Sequence, residues 1–296
     1  MSPGSLFSIV AAMQITGTTR VFMILGDPIA QVRAPEIFNP LFRRHGVDAV
    51  LVPAHVAPAD LPGFVRHALR AHNIDGLWLT IPHKSAMFSL LDRCDPLGTV
   101  AQAVNAARRN ADGSLEGALF DGLGFVKSLD GFGVEPRGAR ALVVGAGGAG
   151  VAIAVSLAER GVRSLALYDL DPARCCGVVA RIRAAWPTLD VGVATSADPA
   201  GHDLVVNASP LGLKDSDPLP FDAARVDAGA AVVDILMKNQ PTPLLRACKA
   251  RGVRAFPGYE MLIRQAPDYL AFFGFHELAS AVQEDPSEVR EFFQPR

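Results

Sequence analysis

The residues whose spacing most clearly suggests a chemistry are the glycines Gly145, Gly147 and Gly150, which form the pattern G-x-G-x-x-G. In dinucleotide-binding folds the first glycine allows a tight turn, the second lets a pyrophosphate approach the backbone, and the third lets a helix pack close to a strand. The first N–H groups of that helix can then donate to the phosphates. Asp169 lies 19 residues after Gly150, where a carboxylate can accept hydrogen bonds from an adenosine ribose. This spacing predicts a dinucleotide site.

The sequence around these glycines supplies the elements that must position them. Residues 141–144 are an apolar run typical of a buried parallel strand, residues 151–160 have a helical pattern, and residues 164–168 form a second apolar run that ends on Asp169. The alternative is a glycine-rich turn that binds nothing. We favour the dinucleotide because the strand, the helix and the acid follow in the expected order.

Composition limits the classes of function that the chain can have. Its 296 residues are enough for two domains at about 100–200 residues each. The formal net charge is -2 and the charged residues form no long run, which gives no support for a nucleic-acid partner. No apolar run reaches the roughly 18 residues of a membrane helix, and the apolar segment Leu6–Met13 lacks the basic flank and cleavage site of a signal peptide. We expect a cytoplasmic protein that acts on a small molecule and does not bind a membrane.

The cysteines add no prediction of a metal site or a disulfide. Their positions, Cys94, Cys175, Cys176 and Cys248, match no zinc-site spacing, and the adjacent pair has poor geometry for a disulfide. We expect all of them to be reduced, and we predict no bound metal.

Apolar runs alternate with helical segments along the chain, which favours parallel sheets. The predicted strands are residues 21–25, 49–52, 75–80, 103–108, 114–119, 141–144, 164–168, 191–194, 204–207, 231–235 and 253–256. The predicted helices are residues 35–44, 60–71, 121–129, 151–160, segments after Pro172 and Pro243, residues 259–273, a short helix after Phe275 and a last helix that Asp285 begins. We therefore predict an α/β protein. Residues 1–121 form a substrate domain, residues 122–258 form a Rossmann-type dinucleotide-binding domain, and residues 259–296 pack back on the first domain.

Lys84 follows a predicted strand and a turn at Pro82, and α/β sheets bind ligands at this end of their strands. A lysine on a loop is more often a solvated surface residue, so its neighbours decide its interpretation. The order of motifs along nearly the whole chain resembles the shikimate dehydrogenase family. These motifs are GDPIA at residues 26–30, LTIPHK at 79–84, AVN at 103–105, DG at 121–122, NASPLG at 207–212 and GYEMLIRQA at 258–266.

The resemblance implies a dinucleotide-dependent oxidoreductase in which Lys84 and Asp121 flank the reacting hydroxyl group. Oxidation of a secondary alcohol transfers a hydride to the nicotinamide and releases a proton, which needs a positioned acceptor. The implied substrate-binding positions are Thr80, Asn105, Gln265, Val32 and Ala34. The implied cofactor-binding residues are Gly145, Ala146, Gly147, Gly148, Ala149, Gly150, Asp169, Asn207, Ile235 and Gly258.

The polar residues in this set can also have purely structural roles. Asp121 can cap the helix that continues from Gly122, and this role is compatible with catalysis. Asn105 can satisfy the end of a strand, and Gln265 can face solvent on its helix.

The chain departs from the family at the positions where the family binds its substrate. Two serines that hold the substrate carboxylate are replaced by Val32 and Ala34. Trp78 replaces an asparagine, Ala118-Leu119-Phe120 replaces Asp-Asn-Thr, and Met237 replaces a tyrosine. All of these changes run from polar to apolar, and a buried group left without its hydrogen-bond partner costs about 1–3 kcal/mol. We therefore predict that shikimate is a poor substrate and that an apolar or aromatic-like cyclic alcohol or ketone is the substrate.

Two residues of the opening loop leave open whether that substrate carries a carboxylate. Arg33 and Gln31 are both candidates for binding one. Arg33 is equally well interpreted as a surface residue.

The end of the second strand of the dinucleotide unit bears on the choice of cofactor. NADP-binding members of the family have Asn-Arg-Thr at this point, whereas this chain has Tyr168-Asp169-Leu170-Asp171. A carboxylate repels the 2′-phosphate of NADP and accepts hydrogen bonds from the free ribose hydroxyls of NAD. We predict NAD over NADP, although the cation Arg174 is close in sequence.

The leading prediction is an NAD-dependent oxidoreductase with a divergent substrate pocket, and two alternatives stand beside it. One is a shikimate or quinate dehydrogenase that tolerates the substitutions. The other is a sensor that binds the dinucleotide without turnover, and the retention of Lys84 and Asp121 speaks against it because a sensor needs neither. The resemblance implies a monomer or a homodimer.

Overall fold

The computed structural model describes residues 14–214 and 216–293 and contains two sheets of six strands each. The apolar segment Leu6–Met13 lies outside the described residues. Within the described ranges, no helix is both long enough and apolar enough to cross a membrane.

The first sheet combines a parallel part with the predicted hairpin. Its strands are β1 (Arg20–Gly26), β2 (Ala49–His55), β3 (Ile74–Leu79), β4 (Arg93–Cys94), β5 (Ala106–Arg109) and β6 (Leu115–Ala118), in the spatial order β2-β1-β3-β5-β6-β4. Strand β1 is parallel to both β2 and β3, whereas β5 is antiparallel to β3 and to β6. The sequence does not predict β4, because a strand of two residues has no periodicity to detect.

Short helices fill the connections of this sheet. They are α1 (Ala34–Arg44), α2 (Leu61–Ala68), α3 (His83–Phe88), α4 (Pro96–Ala101) and α5 (Asp121–Gly131). The helix predicted over residues 60–71 is shorter, because its first turn is a separate 3₁₀ turn at Pro58–Asp60 and the helix ends at Ala68. The sequence does not predict α3 and α4, since six residues beginning beside a proline are also typical of a turn.

The second sheet is entirely parallel. Its strands are β7 (Arg140–Val144), β8 (Ser164–Tyr168), β9 (Asp190–Val193), β10 (Leu204–Asn207), β11 (Ala231–Asp234) and β12 (Arg254–Pro257), and its helices are α6 (Gly148–Glu159), α7 (Pro172–Ala185) and α8 (Pro243–Ala250). The spatial order β12-β11-β10-β7-β8-β9 reverses between β7 and β10, and ligands bind at this reversal in doubly wound folds. The predicted Rossmann-type sheet is confirmed.

The C-terminal helices return to the first sheet, as predicted. They are α9 (Glu260–Arg264), α10 (Ala266–Phe272), α11 (His276–Glu284) and α12 (Ser287–Phe292). Tyr269, Leu270 and Phe273 share one buried cluster with Phe22 of β1 and Phe38 of α1. The Nη1 of Arg44 on α1 also lies 3.0 Å from Glu288 of α12.

Two details of these helices differ from the prediction. The single helix expected over residues 259–273 is divided at Gln265, because Pro267 near the start of α10 has no N–H to continue the hydrogen bonds of α9. The last helix begins one residue later than Asp285 predicts. Pro286 is its N-cap residue, and Asp285 Oδ1 accepts a hydrogen bond from the backbone N–H of Ser287 at 2.9 Å.

Candidate active site

Lys84 and Asp121 come from different elements and meet in an ion pair. Lys84 is the second residue of α3 and Asp121 is the first residue of α5. The ammonium of Lys84 donates to Oδ2 of Asp121, and the two side chains are 15% and 5% exposed. Asp121 does not cap α5, whose N-cap residue is Phe120. The predicted pair is therefore brought together in a site that water reaches only in part.

The turn that carries Lys84 is hydrogen-bonded to the ends of β1 and β2. The backbone N–H of Asp27 donates to the carbonyl of Ile81 at 3.0 Å. The backbone N–H of Thr80 donates to the carbonyl of Leu25 at 2.9 Å. The buried imidazole of His83 bonds through Nε2 to the carbonyl of Val56 at 2.8 Å. Sequence reasoning missed His83, although its place between Pro82 and Lys84 is a signal.

The aliphatic part of the Lys84 side chain packs against the glycine loop at the start of α6. A Cβ placed on Gly148 would lie 3.3 Å from Cδ of Lys84. The ion pair is therefore next to the first turn of α6, at the loop where the dinucleotide is predicted to bind.

The glycine loop has the geometry that a pyrophosphate needs. Gly145 has a φ of +108°, which favours glycine, and a Cβ on Gly150 would overlap the carbonyl of Gly145. A Cβ on Gly147 would meet nothing within 4 Å, so this side of the loop is open. The N–H groups at the start of α6, beginning at Gly148 and Ala149, lie at this opening. The residues present fit a dinucleotide.

Asp169 is hydrogen-bonded to the same loop. Its Oδ2 accepts from the N–H of Ala146 at 2.8 Å, and its Oδ1 accepts from the N–H of Asp171 at 3.0 Å. Both carboxylate oxygens therefore already have a donor in the protein. A ribose hydroxyl would add a further bond, because each carboxylate oxygen can accept more than one.

Asn207 is fully buried and bonded to its own chain. Its Nδ2 donates to Asp234 at 3.0 Å, and its Oδ1 accepts from the N–H of Ser209 at 3.1 Å. Burial raises the pKa of Asp234. These bonds give Asn207 a role in shaping the loop after β10, and its predicted contact with a cofactor stays a prediction.

Ile235 and Gly258 lie against each other at the ends of β11 and β12. A Cβ on Gly258 would lie 2.5 Å from Cα of Ile235, so only glycine allows this approach. Their contact with a cofactor also stays a prediction.

Asn105 and Gln265, two of the polar residues predicted to bind substrate, contact each other. Asn105 donates through Nδ2 to Oε1 of Gln265 at 3.3 Å, and its Oδ1 accepts from the N–H of Phe120 at 2.9 Å. Gln265 is 3% exposed, so it does not face solvent. Thr80 precedes the turn of Lys84, and a Cβ on Gly26 would lie 2.6 Å from its Cγ2. The opening loop and the turn of Lys84 therefore pack closely against each other.

Tyr269 also contacts Asn105, and sequence reasoning missed it. Its hydroxyl donates to the carbonyl of Asn105 at 3.2 Å. Burial raises the pKa of Tyr269, and the charge of Asp121 raises it further. Its position four residues after Gln265, on the same face of the chain's closing helices, is the signal that could have found it.

The apolar replacements fill space beside these amides. The ring of Trp78 stacks on the rings of Tyr269 and Phe273, with 5.2 Å and 4.2 Å between ring centroids. The ring of Phe120 contacts that of Tyr269 edge to face, with 5.1 Å between centroids. Trp78 is 2% exposed, and its Nε1 has no partner among the described residues. At Trp78 and Phe120, positions where the family has polar side chains, this chain has part of an aromatic core.

Most of the remaining replacements lie in or against the same core. Val32 of the opening loop, Ala34 at the start of α1 and Met237 in the loop after β11 pack against it. Leu119 instead is buried in the core of the second sheet.

Helix α5 holds the pair in place through glycines on two faces. A Cβ on Gly122 would overlap the carbonyl of Ala152 on α6, and one on Gly124 would lie 2.9 Å from Cβ of Gln265. Asp121 is the residue before the first of these contacts. Its position therefore depends on how closely α5 packs against α6.

We expect alanine at Gly122 to lower both stability and turnover. The added methyl group should cost about 1–3 kcal/mol of unfolding free energy and move Asp121 away from Lys84. Urea unfolding and kcat measure the two effects. The control is Gly63→Ala in α2, where a Cβ meets nothing within 4 Å and alanine should stabilise by up to about 1 kcal/mol. Unchanged unfolding of Gly122→Ala would show that α5 and α6 are not closely packed.

Comparison with known proteins decides the family. A family model described as "Shikimate dehydrogenase substrate binding domain" matches residues 24–107. The "Shikimate dehydrogenase (NADP(+))" of Rubrobacter xylanophilus is 37% identical over 257 residues, which cover 85% of this chain and 89% of that protein. The chain belongs to the shikimate dehydrogenase family. It is an oxidoreductase that acts on CH–OH groups with a nicotinamide dinucleotide.

Solved structures of the shikimate dehydrogenase fold match the chain over nearly its whole length. Quinate dehydrogenase from Corynebacterium glutamicum, solved in complex with NAD, has a TM-score of 0.80 at 27% identity and covers 93% of this chain and 98% of its own. The 5-ketofructose reductase of a Gluconobacter strain has a TM-score of 0.80 at 25% identity. The match covers 94% of this chain and 100% of the reductase. The predicted family and fold are confirmed, whereas the roles of single residues remain predictions.

Proposed function

We propose that the chain transfers a hydride between NAD and a secondary alcohol or ketone of a cyclic substrate that is not shikimate. One observation carries this proposal. The ion pair of Lys84 and Asp121 is retained beside the first turn of α6, while aromatic and aliphatic side chains occupy the positions where the family binds the polar groups of its substrate.

Lys84 and Asp121 would hold the proton of the reaction. The nicotinamide, when bound at the glycine loop, supplies the acceptor or donor of the hydride. The nitrogen Nζ of Lys84 would exchange a proton with the substrate oxygen, and Asp121, to which Nζ donates, would fix the position of that nitrogen. Because little water reaches either side chain, the proton would pass between the substrate and the pair.

The amide groups and Thr80 would orient the ring that carries the reacting carbon. Asn105 and Gln265 are buried neutral amides that can bond hydroxyl or carbonyl oxygens. Val32 and Ala34 would contact apolar parts of the substrate. This combination suits a ring with few polar substituents.

The surroundings of Asp169 support NAD as the preferred cofactor. Asp169 and Asp171 place two carboxylates after β8, and both would repel a 2′-phosphate. The nearby cation Arg174 already lies 3.5 Å from Oδ2 of Asp171. The relatives named as NADP-dependent therefore do not decide the preference of this chain.

We expect Asp169→Asn to lower the preference for NAD over NADP by about tenfold or more, which corresponds to about 1.4 kcal/mol. Asparagine removes the charge and keeps an oxygen that can accept from the loop. The measurement is kcat/KM for each cofactor in the wild type and the variant. Asp190→Asn, which removes an exposed carboxylate on β9, is the control and should leave the ratio unchanged. An unchanged ratio in Asp169→Asn would remove the basis for NAD preference.

A second candidate function is that of a shikimate or quinate dehydrogenase. The retained Thr80, Asn105 and Gln265 and the names of the relatives favour it. A screen of cyclic alcohols, including shikimate and quinate, for NADH formation distinguishes the two functions. Oxidation of shikimate or quinate above all other alcohols would support the second candidate and refute the first.

A further inference from the structure

We infer that the substrate of this site is uncharged and has no carboxylate facing the opening loop, residues 26–34. This inference rests on the proposed function and specifies its substrate class. The loop presents Val32 and Ala34, neither of which has a hydrogen-bond donor in its side chain. Both pack against the cluster that contains Phe38, Trp78 and Tyr269. A carboxylate bound here would lose water and gain no side-chain donor from these two positions.

The cations on the segments that carry the opening loop, the catalytic pair and the closing helices each lie beside a carboxylate. Each arginine or lysine within residues 26–38, 80–90, 118–128 and 259–293, all of which the structure describes, lies within 4.0 Å of a carboxylate of this chain. These pairs are Arg33–Glu36 at 3.0 Å, Lys84–Asp121, Lys127–Asp268 at 2.7 Å, Arg264–Glu260 at 3.8 Å and Arg290–Glu260 at 2.6 Å. The Arg264 contact is too long for a hydrogen bond, and Nε of Arg264 has no hydrogen-bond partner among the described residues. In all five pairs a carboxylate of this chain already lies beside the cation, which weakens the attraction of that cation for an anionic substrate.

The two residues that could have held a substrate carboxylate have other contacts. Arg33 bonds Glu36 and lies over the ring of Phe293, 4.4 Å from its centre, and its side chain is only 15% exposed. Gln31 donates through Nε2 to the carbonyl of Pro28 at 2.6 Å. Desolvation of a carboxylate is costly unless a cation or several donors compensate. The site therefore favours a neutral cyclic alcohol or ketone.

The test compares matched alcohols with NAD. Each pair consists of a cyclic secondary alcohol with a ring carboxylate, such as shikimate or 4-hydroxycyclohexanecarboxylate, and its analogue with a hydroxymethyl group in place of the carboxylate. We expect the wild type to have at least a tenfold higher kcat/KM for the neutral member. The double variant Val32→Ser/Ala34→Ser restores two hydroxyl donors and should shift this ratio toward the carboxylate by about tenfold or more.

Two control variants show whether the shift is specific to the opening loop. Val47→Ser places a hydroxyl elsewhere against the same aromatic cluster and should leave the ratio unchanged. Lys238→Ala removes an exposed cation on the loop after β11 and should also leave it unchanged. The single variants Val32→Ser and Ala34→Ser are measured as well, so that misfolding of the double variant does not remove the test.

A wild type that prefers the carboxylated members would overturn the inference, and so would a ratio that the serine variants do not move. In that case hydride transfer to or from a cyclic alcohol would still stand, because turnover would have been observed; only shikimate or quinate as the preferred member would refute the proposed function as well. If the wild type oxidises no member of these pairs and no cyclic alcohol in a wider panel, the proposed function fails together with the inference.

Discussion

Replacement of Lys84 by methionine should lower kcat by about 10²–10⁴-fold, which is the usual contribution of a positioned acid or base. Methionine keeps an apolar stem of similar length over Gly148, but it has no group that can exchange a proton or bond Asp121. Binding of NAD should change by less than about threefold, because the glycine loop is untouched. Steady-state turnover and calorimetric titration with NAD measure the two quantities.

The matched control is Lys249→Met. Lys249 is exposed on α8 of the second sheet, so its loss should change neither turnover nor NAD binding. Undiminished kcat in Lys84→Met would contradict the role of the ion pair. Loss of NAD binding in the same variant would assign Lys84 to the cofactor site instead.

Alanine at Gly150 should weaken both the fold and cofactor binding, whereas alanine at Gly147 should weaken cofactor binding alone. At Gly150 the new Cβ would overlap the carbonyl of Gly145, which should cost about 1–3 kcal/mol of unfolding free energy. The distorted loop would lose at least one backbone bond to the pyrophosphate, and such charged bonds are worth about 1.5–3 kcal/mol each. We therefore expect the Kd for NAD to rise by about tenfold to a hundredfold.

At Gly147 the free protein has room for the methyl group, and its φ of −74° suits any residue. Its stability should change by less than about 0.5 kcal/mol. The methyl group would nevertheless occupy the side from which a pyrophosphate approaches, so NAD binding should weaken about tenfold or more.

Urea unfolding without NAD and calorimetric titration with NAD distinguish the two glycine variants. Gly192→Ala on β9, where a Cβ meets nothing within 4 Å, is the control for both measurements. Normal NAD binding by Gly147→Ala would show that the pyrophosphate does not approach this part of the loop.

The glycine loop and the order of motifs could be predicted because each depends on local sequence. The strand, loop, helix and acid of residues 141–169 form one continuous unit whose spacing is set by backbone geometry. Lys84 and Asp121 could be paired only through the family resemblance, since no local pattern relates residues 37 positions apart.

The environment of the substrate site could not be predicted, because long-range packing determines it. The sequence places Trp78 at a pocket position, but rings from α1 and α10 enclose it. Arg33 is a candidate carboxylate binder in the sequence, but its guanidinium lies over the ring of Phe293, a contact that depends on where the last helix returns. Tyr269 likewise bonds Asn105 across 164 positions, because the closing helices pack on the first sheet.

The central claim is that this chain keeps the hydride transfer of its family and has lost the recognition of shikimate. Its most direct test is kcat/KM of the wild type for shikimate, with NAD and with NADP, beside a panel of cyclic secondary alcohols with NAD. We expect values for shikimate below about 10⁴ M⁻¹s⁻¹ with both cofactors, and a higher value for at least one neutral alcohol. A value for shikimate above about 10⁴ M⁻¹s⁻¹ that exceeds every other alcohol would contradict the claim.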